Sequence, residues 1–503
     1  MQAFAHIPLG TPIPDRPHAV SCSLPTMAAV RGYERKDPAV LSHLLSGYPR
    51  FVVHPFARRL TAALAERSGL EGRTLWLASS RRMAGRLLAH LQLAGEGAAL
   101  FAADGVHGVS HPESPELALR AKLYLQNIGG FLSSREAEDR LAALGAGPEA
   151  AAEETFGGDA RAEVLRLLKP LFAGANDTDL FLANSGMNAV HAAFRAVNDL
   201  QSSKGRTGWV QLGWLYLDTI AILKKFTASK EDYIHVRDVM NLEALEALFA
   251  ERGSRLAGLV AEVPTNPLIQ TPDVAALAAL CRRHSVKLIL DPSLSSVFSV
   301  DCLPHADLVV TSLTKYTGNE GDVIAGLVAV NPAGPDADFL RRRVGIIVEP
   351  PYARDLARLA AQIGHTREVL GRIEDSTPRV AAFLAAHPAV RTTHWALEPA
   401  SRAHYLGIAR SPRATGGMIS FTLRGELEPF YDRLRLPKGP SFGMRTTLIC
   451  PFMYLAHFDL VTTPAGRAEL NANGLDPDLL RLCVGTEPAD EIIGALAEAL
   501  GPL

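Results

Sequence analysis

Three short segments of the sequence place reactive side chains at the ends of apolar runs. In ADLVVTSLTKYTGNEGDVIAG, Lys315 follows such a run by a few residues. A lysine in this setting would have its ammonium group desolvated and its pKa lowered, as an imine-forming lysine requires. The same pattern also fits a surface lysine that merely follows a strand. Lys315 is therefore a candidate amine nucleophile.

The second segment, VKLILDPS, ends its apolar run at Asp291. A carboxylate at that position is poorly solvated and needs a cationic partner, for which a protonated pyridine nitrogen, a metal ion or an arginine would serve. Asp291 precedes Lys315 by 24 residues. That interval corresponds to about one strand-helix step of a parallel sheet.

The third segment, NSGMNAV, joins an apolar run to a helical pattern at Gly186. Glycine lets the backbone approach a ligand closely, and the amides at a helix start favour an anion. Many turns contain glycine for packing alone, so this segment is a weak signal by itself. Anion cradle, aspartate and lysine together predict pyridoxal 5′-phosphate, whose ring acts as an electron sink.

These residues need elements that bring them to one place. From about residue 160, short apolar runs alternate with helical periods, for example DLFLANSG with MNAVHAAFRAVNDL and LAGLVAEV with VAALAALCRRH. This alternation predicts an α/β fold whose mainly parallel sheet is covered by helices on both faces. Ligands bind such sheets at the carboxyl ends of the strands, where the three segments fall.

The rest of the chain predicts three further parts. The first 35 residues or so are rich in proline, glycine and polar residues, and predict an extended arm that lies on the body or on a neighbouring subunit. We expect a division into an arm at 1–60, an inserted α/β segment at 61–158, a large domain at 159–345 and an α+β domain at 346–503. In the last part the pattern predicts helices over 352–374, 377–387, 427–434 and 487–499 and a strand at GGMISFTL.

Composition excludes several other classes of protein. The 503 residues contain 51 Lys and Arg against 53 Asp and Glu, a net charge of −2, so no overall basic field favours nucleic acid or anionic lipid. No apolar run reaches the ~18 residues of a membrane helix, and the first residues do not resemble a signal peptide. Five scattered cysteines without a CxxC indicate buried, reduced thiols in a cytoplasmic protein.

One segment, HGVSH, carries two histidines at metal-ligand spacing, His107 and His111. On a helix this spacing could bind zinc. Gly108 and Pro112 favour a loop instead, and no third ligand stands at a familiar spacing. We therefore predict no metal site.

A set of motifs that follow one another along the chain is more specific than the patterns described so far. The set consists of YPRFVVHP (48–55), SGM (185–187), YLDT (216–219), EVPTNPLIQTPDV (262–274), the strand ending at Asp291, TSLTKYTGNEGDVIAG (311–326), GGMISF (416–421), GPSFG (439–443) and LLRLCVGTEP (479–488). It resembles the Cys/Met-metabolism family of pyridoxal-phosphate enzymes. HAVSCSLPTMAAVRGYE and the long gap before SGM are most similar to its fungal-type cystathionine gamma-synthases. The resemblance implies a fold-type I, aspartate aminotransferase-like architecture.

The resemblance also implies roles around the cofactor ring. Lys315 would bind the cofactor aldehyde covalently and shuttle protons. Asp291 would keep the ring nitrogen protonated, and Asn266 would hydrogen-bond near the phenolate oxygen of the ring. Tyr216 would stack on the ring and take part in proton transfer.

Further roles implied by the resemblance concern the phosphate and the substrate. Tyr48 and Arg50 would reach the phosphate from the adjacent subunit, and Arg481, with Ser441 nearby, would grip the substrate α-carboxylate. The phosphate would also be held by the backbone amides of Gly186 and Met187 and by the hydroxyls of Ser312 and Thr314.

Six positions at four places in the chain depart from the family pattern. His54 stands where the family has Asn, and Pro292-Ser293 follow Asp291 in place of Asn-Thr. Leu217 and Asp218 replace two glycines, which predicts a stiffer and bulkier loop. Pro440 precedes Ser441 where cystathionine-cleaving members tend to carry Glu, which disfavours a cystathionine lyase.

The resemblance implies a PLP-dependent γ-replacement. An O-acylated homoserine would lose its Cα proton and then a Cβ proton to Lys315, the acyloxy group would leave, and cysteine would add to give cystathionine. The alternatives are a γ- or β-lyase, a homoserine sulfhydrylase, or a scaffold subunit with this fold that has lost catalysis. Residues shared across an interface predict a homodimer or a homotetramer. The sequence does not fix the acyl group.

Overall fold

The computed structural model describes residues 4–48, 52–147 and 150–501 of the chain. The N-terminal arm contains two very short strands and two helices: β1 (Pro12–Ile13), β2 (Ser21–Cys22), α1 (Met27–Glu34) and α2 (Pro38–Leu41). The arm lies on its own chain, because Leu24, Met27 and Val30 are buried in one apolar cluster with Phe421 and Phe430 of the C-terminal part.

The arm is followed by a stretch that we call the α3–α6 segment (residues 55–143). Its elements are α3 (Pro55–Arg67), β3 (Arg73–Ala78), α4 (Arg81–Gln92), β4 (Ala99–Ala103), β5 (Val106–Pro112), α5 (Pro115–Ile128) and α6 (Ser134–Ala143). The strands form an antiparallel sheet in the order β3-β5-β4. The amphipathic segments FARRLTAALAERS and MAGRLLAHLQLAG form most of α3 and α4. The HGVSH motif was expected in a loop, and it is the central strand β5 instead.

The middle of the chain forms a seven-stranded sheet with helices on both faces. Its elements are α7 (Ala160–Leu168), β6 (Leu180–Ala183), α8 (Gly186–Ser202), β7 (Gly208–Leu212), α9 (Leu217–Phe226), β8 (Tyr233–Val236), α10 (Leu242–Arg252), β9 (Leu256–Glu262), α11 (Val274–Arg283), β10 (Lys287–Asp291), β11 (Leu308–Ser312), β12 (Gly326–Val330) and α12 (Ala337–Ile347). The strand order is β6-β12-β11-β10-β9-β7-β8. Strand β12 runs antiparallel to both of its neighbours, and the other pairs are parallel.

Alternation along the strands divides the core of this sheet into two layers. Val309 points into one apolar cluster and Val310 into the cluster on the opposite face. Such double-sided burial explains why these strands read as continuous apolar runs in the sequence. The expected α/β fold with a mainly parallel sheet is confirmed.

The C-terminal part combines helices with a second sheet. Its elements are α13 (Ala353–Ile363), α14 (Thr366–Ala386), β13 (Val390–Trp395), α15 (Arg402–Ile408), β14 (Met418–Leu423), α16 (Leu427–Arg433), β15 (Leu448–Pro451), α17 (Phe452–Ala456), α18 (Phe458–Val461), α19 (Pro464–Ala472), β16 (Leu480–Cys483) and α20 (Ala489–Leu500). The sheet is antiparallel, in the order β13-β14-β16-β15. The expected helix boundary before residue 377 was wrong: the break falls at Gly364-His365, and α14 continues through Pro378.

In the described part of the chain, no helix is long and apolar enough to cross a bilayer. All five cysteines are free and buried, as the sequence predicted.

Candidate active site

Lys315 lies three residues beyond the carboxyl end of β11, where its side chain is buried with 9% of its surface exposed. Its Nζ donates a hydrogen bond to Ser441 Oγ at 2.8 Å and contacts the Tyr48 hydroxyl. Burial, together with the charge of Arg481, holds the pKa of the Lys315 amine well below its ordinary value. A lowered pKa favours the neutral amine, which is the form that can accept a proton.

The backbone around Lys315 is fixed from both sides. Tyr316 has a positive φ of 58°, donates its amide hydrogen to Gly443 O at 2.6 Å and donates its hydroxyl to Leu294 O at 3.0 Å. A Cβ on Gly443 would lie 2.8 Å from the Tyr316 nitrogen, so only glycine allows this approach. The GPSFG motif thus clamps the turn that carries the lysine.

Asp291 ends β10, and its Oδ1 accepts hydrogen bonds from the Ser293 amide at 2.9 Å and the Ser293 hydroxyl at 2.5 Å. Desolvation raises the pKa of Asp291 to about 6, although these two hydrogen bonds oppose the rise. Ser293 Oγ also accepts from the Ser312 amide at 2.8 Å. The departure at Pro292-Ser293 therefore keeps a polar support for the aspartate.

A second carboxyl group, which the sequence reasoning missed, lies beside Asp291. Glu262 ends β9 and stands opposite Asp291 in the parallel register. Its Oε1 accepts from the Tyr216 amide at 2.5 Å. Burial and the neighbouring Asp291 raise the pKa of Glu262 well above its ordinary value. The signal that could have found it is the one that found Asp291, an acidic residue at the end of an apolar strand.

The predicted phosphate cradle is assembled at the start of α8. The Ser185 side chain caps this helix by accepting from the Asn188 amide at 3.1 Å. A Cβ added to Gly186 would lie 2.9 Å from the Ser312 Cβ, so the helix start and the end of β11 meet only because this residue is glycine. Thr314 directs its hydroxyl to the backbone of Ala325, which donates to it at 3.1 Å.

Tyr48 comes from the arm and lies against Lys315 of its own chain, with Nζ 4.2 Å from its ring centroid. Burial raises the pKa of the Tyr48 hydroxyl, and the nearby hydroxyls of Thr314, Ser441 and Ser312 oppose this rise. The sequence expectation placed Tyr48 in the site of an adjacent subunit, whereas here it joins the site of the same chain. Its expected companion Arg50 lies outside the described residues.

Arg481 lies on β16 with 7% of its surface exposed, and its guanidinium packs against the rings of Phe442 and Phe452 at 5.0 and 4.6 Å. It donates to Asn266 Oδ1 at 3.2 Å and to Ser441 O at 3.3 Å. Within the described ranges no carboxylate oxygen lies within 4.0 Å of the guanidinium. A buried cation with neutral partners is suited to bind a ligand carboxylate.

Asn266, expected at the cofactor ring, is thus placed where it orients Arg481. Tyr216 precedes α9, and its side chain lines the cavity that contains Lys315. The next two residues, Leu217 and Asp218, begin that helix, and Asp218 is buried. Asp218 accepts from Gln126 at 2.6 Å, which ties this loop to the α3–α6 segment.

The remaining departure, His54, serves as the N-cap of α3. Its Nδ1 accepts from the Phe56 amide at 3.2 Å, and its Nε2 lies 2.7 Å from Pro17 O. A histidine therefore performs the capping that an asparagine before a proline could perform.

These groups share one cavity of about 950 Å³. Its lining includes the predicted residues Tyr48, Gly186, Met187, Tyr216, Asn266, Asp291, Ser312, Lys315, Ser441 and Arg481. Thr314 is absent from that lining but contacts Tyr48. The residues fit pyridoxal phosphate, because a helix start approached closely through Gly186 suits its phosphate, a desolvated carboxyl suits its ring nitrogen, and a buried amine suits its aldehyde.

The described residues contain no group of three or more metal-ligating side chains. His111 instead accepts from Trp76 Nε1 at 3.2 Å inside the β3-β5-β4 sheet. His111 is therefore part of the hydrogen bonding within this sheet.

Fold and site together define a pyridoxal-phosphate enzyme. The sequence model of the Cys/Met metabolism PLP-dependent enzymes matches residues 168–501, and the chain belongs to this family. Enzymes of this family depend on pyridoxal phosphate. The α3–α6 segment lies outside the matched residues.

Individual relatives are similar over different lengths. The L-2-amino-4-chloropent-4-enoate dechlorinase/desaturase of Streptantibioticus cattleyicolor is 39% identical over 488 residues, covering 97% of each chain. The cystathionine gamma-synthase of Neurospora crassa is 30% identical over 333 residues, which cover 65% of this chain and 52% of that protein.

A solved structure supports the fold. The cystathionine gamma-synthase of Xanthomonas oryzae pv. oryzae in complex with cystathionine superposes with a TM-score of 0.57 at 22% identity. The match covers 73% of this chain and 96% of that structure.

Proposed function

We propose that the chain catalyses a pyridoxal-phosphate-dependent reaction that expels a leaving group from Cγ of a small L-α-amino acid. The observation that carries the proposal is the pair formed by Lys315 and Arg481 in one cavity. A buried amine with a lowered pKa can accept a proton. A buried guanidinium that has no carboxylate partner among the described residues can hold the α-carboxylate of the substrate.

Each group would act on a defined atom. Arg481 fixes the α-carboxylate, which leaves the Cα hydrogen within reach of Lys315 Nζ. Ser441 and Tyr48 contact that amine and orient it. Asp291 would hold the proton on the ring nitrogen, where an opposite charge would favour its ionised form. Pyridoxal phosphate, when bound, delocalises the negative charge left on Cα.

The first candidate outcome is γ-replacement, in which cysteine adds to an O-acylhomoserine and cystathionine forms. The family motifs and Pro440 before Ser441 support it. We also propose a cytoplasmic location, which the five buried, free thiols support. We further propose a homodimer or homotetramer, which the motifs shared with an oligomeric class of enzymes support.

The second candidate outcome is elimination without a sulfur acceptor. A specific observation favours it: the relative named as a dechlorinase/desaturase covers 97% of this chain, whereas the cystathionine gamma-synthase of Neurospora crassa covers 65%. The chloride of its named substrate also leaves from the γ carbon.

Product analysis tests both candidates. Purified holoenzyme is incubated with O-acetyl-, O-succinyl- or O-phosphohomoserine, with and without cysteine, and with L-2-amino-4-chloropent-4-enoate. Cystathionine that requires cysteine supports replacement, whereas an oxo acid or chloride released without cysteine supports elimination. Absence of every product would contradict the proposed function.

A control separates an enzyme from a catalytically inactive scaffold. The wild-type protein should show the visible absorbance of the lysine-bound cofactor, and Lys315→Ala should lose this absorbance together with all turnover. A wild-type protein without that absorbance after incubation with pyridoxal phosphate would favour the scaffold.

A further inference from the structure

The cavity that contains Lys315 extends to the α3–α6 segment, which is not part of the family match. One wall of the cavity is formed by residues of α3, β3 and the chain after α5: Ala57, Thr61, Ala62, Ala65, Leu75, Leu77 and Leu132. Nothing in the reaction proposed above uses this wall.

The side chains of α3 are sorted between its two faces. Ala57, Thr61 and Ala65 recur every four residues, so they form a line along the cavity side. Leu60 and Leu64 are fully buried in the apolar core of the segment, on the neighbouring side of the helix, and Ala57 and Ala65 border both that core and the cavity. The packed face fixes the helix, and the small side chains leave space between α3 and the catalytic residues.

The same core provides the apolar surface of the wall. Leu75 and Leu77 alternate along β3 and lie in the cluster that holds Leu60 and Leu64. They also line the cavity. The chamber therefore reaches the edge of a close-packed core, which resists collapse into the space.

The charged residues of this wall are mostly engaged elsewhere. Arg73 donates to Gly97 O at 2.7 Å and Ser110 Oγ at 3.1 Å, and Arg135 and Arg140 pair with carboxylates of the protein. Arg58 is exposed. Apart from Arg58, the surface of this wall that is left for a ligand is mainly apolar.

The cavity is large enough to hold the cofactor together with a substrate that extends beyond Cγ. Binding cavities for drug-sized ligands span about 300–1,000 Å³, and this cavity of about 950 Å³ lies at the upper end. A short γ-substituent would leave apolar surface uncovered.

We propose that the α3–α6 wall is a binding site for an apolar group carried beyond Cγ of the substrate. The substrate class is then L-α-amino acids with an extended apolar side chain, held by Arg481 at one end and by this wall at the other. The inference rests on the proposed function for the orientation of the substrate.

The test uses the holoenzyme and unreactive amino acids. L-Norvaline, L-norleucine and L-2-aminooctanoate are titrated by calorimetry and by the change in visible absorbance. Each added methylene should tighten binding about three- to fourfold until the wall is covered. L-2-Aminoadipate has the same chain length as norleucine but ends in a carboxylate. It should therefore bind more weakly than norleucine.

A matched pair of variants locates the effect. Ala62→Leu fills the cavity side of α3 and should flatten the chain-length series while norvaline affinity stays within twofold. Ala89→Leu changes an exposed alanine of α4 that does not line the cavity, and it should leave the series unchanged.

Several results would overturn the inference. These are a flat series in the wild type, tighter binding of aminoadipate than of norleucine, or an equal loss for all probes in Ala62→Leu. The wild-type series and the aminoadipate comparison decide the matter even if a variant misfolds. A flat series with γ-elimination intact refutes only this inference, whereas a steep series without turnover of any γ-substituted substrate refutes only the proposed function.

Discussion

At the scale of single residues, the site holds two cations in one buried pocket. Arg481 contributes to lowering the pKa of Lys315, and burial acts in the same direction. Arginine stays protonated in proteins, so the lysine is the group that gives up its proton. The carboxylate-binding residue thereby also prepares the base.

This coupling predicts two effects of Arg481→Met. Loss of a charged hydrogen-bonding partner should raise KM for the amino acid about 100-fold. The pKa of Lys315 should rise because a neighbouring positive charge is gone, so the acidic limb of the kcat/KM profile should move to higher pH. Steady-state kinetics across pH measure both effects.

Arg379→Met is the matched control, because Arg379 is an exposed arginine paired with Asp490. It should change neither KM nor the pH profile. A profile for Arg481→Met that keeps its acidic limb in place would show that the two cations are not coupled.

The adjacent carboxyl groups of Asp291 and Glu262 predict opposite responses to neutral replacement. Burial and Asp291 raise the pKa of Glu262 well above its ordinary value, which favours its neutral form, so the neutral replacement Glu262→Gln should keep kcat within severalfold. Asp291→Asn removes the group that would hold the ring proton and should lower kcat at least about 100-fold. Turnover with cofactor content measured in parallel tests this contrast. Equal losses in the two variants would contradict it.

At the scale of elements, sequence patterns predicted the strands and turns whose structure is set by residues close together in the sequence. Strands β9, β10 and β11 were visible because burial on both faces makes them apolar throughout. The motif around Lys315 was visible because the turn needs specific residues.

Features that depend on distant partners were missed or misplaced. HGVSH forms a central strand because β3 and β4 pair with it on both sides. Glu262 gains its importance from the register with Asp291, and the position of Tyr48 depends on how the arm folds back. Apart from the β4–β5 hairpin, these contacts join residues that are far apart in sequence.

Helix α8, which carries the anion cradle, also carries a pH-sensitive group. His191 is buried beside Arg86 and Arg195, and burial with these charges lowers its pKa to about 3. The unfolded chain binds a proton at this residue below pH 6.5, whereas the folded chain does not until about pH 3. Stability is therefore lost as the pH falls from about 6.5 towards 3.

At pH 5 this histidine should lower the free energy of unfolding by about 2 kcal/mol relative to neutral pH. His191→Gln, which cannot titrate, should show a smaller loss of thermal stability between pH 7.5 and pH 5 than the wild type. His43→Gln, at an exposed histidine of the arm, should behave like the wild type. Identical pH responses of the wild type and His191→Gln would refute the assignment.

At the scale of the whole molecule, a buried charge network joins parts that are far apart in sequence. Arg135 of α6 pairs with Glu153 at 2.7 Å and with Asp355 of α13 at 3.0 Å. It also donates to Asp322 O at 2.7 Å, in the loop that follows Lys315. The α3–α6 segment thus supports both the catalytic loop and the C-terminal part of the chain.

This network predicts a large effect of Arg135→Met on stability. The variant removes the cationic partner of Asp355, which keeps only the Ser133 hydroxyl, and leaves Glu153 with Arg354 alone, so the free energy of unfolding should fall by about 3 to 5 kcal/mol. The midpoint of thermal unfolding should drop, and retention of cofactor should weaken because the loop after Lys315 loses a support. Arg67→Met, which removes an exposed arginine 3.8 Å from Asp104, should cost at most about 1 kcal/mol. Adding Asp355→Asn to Arg135→Met should restore part of the loss, since no unpaired carboxylate then remains at that position. If Arg135→Met unfolds at the same temperature as Arg67→Met, the network does not hold these parts together.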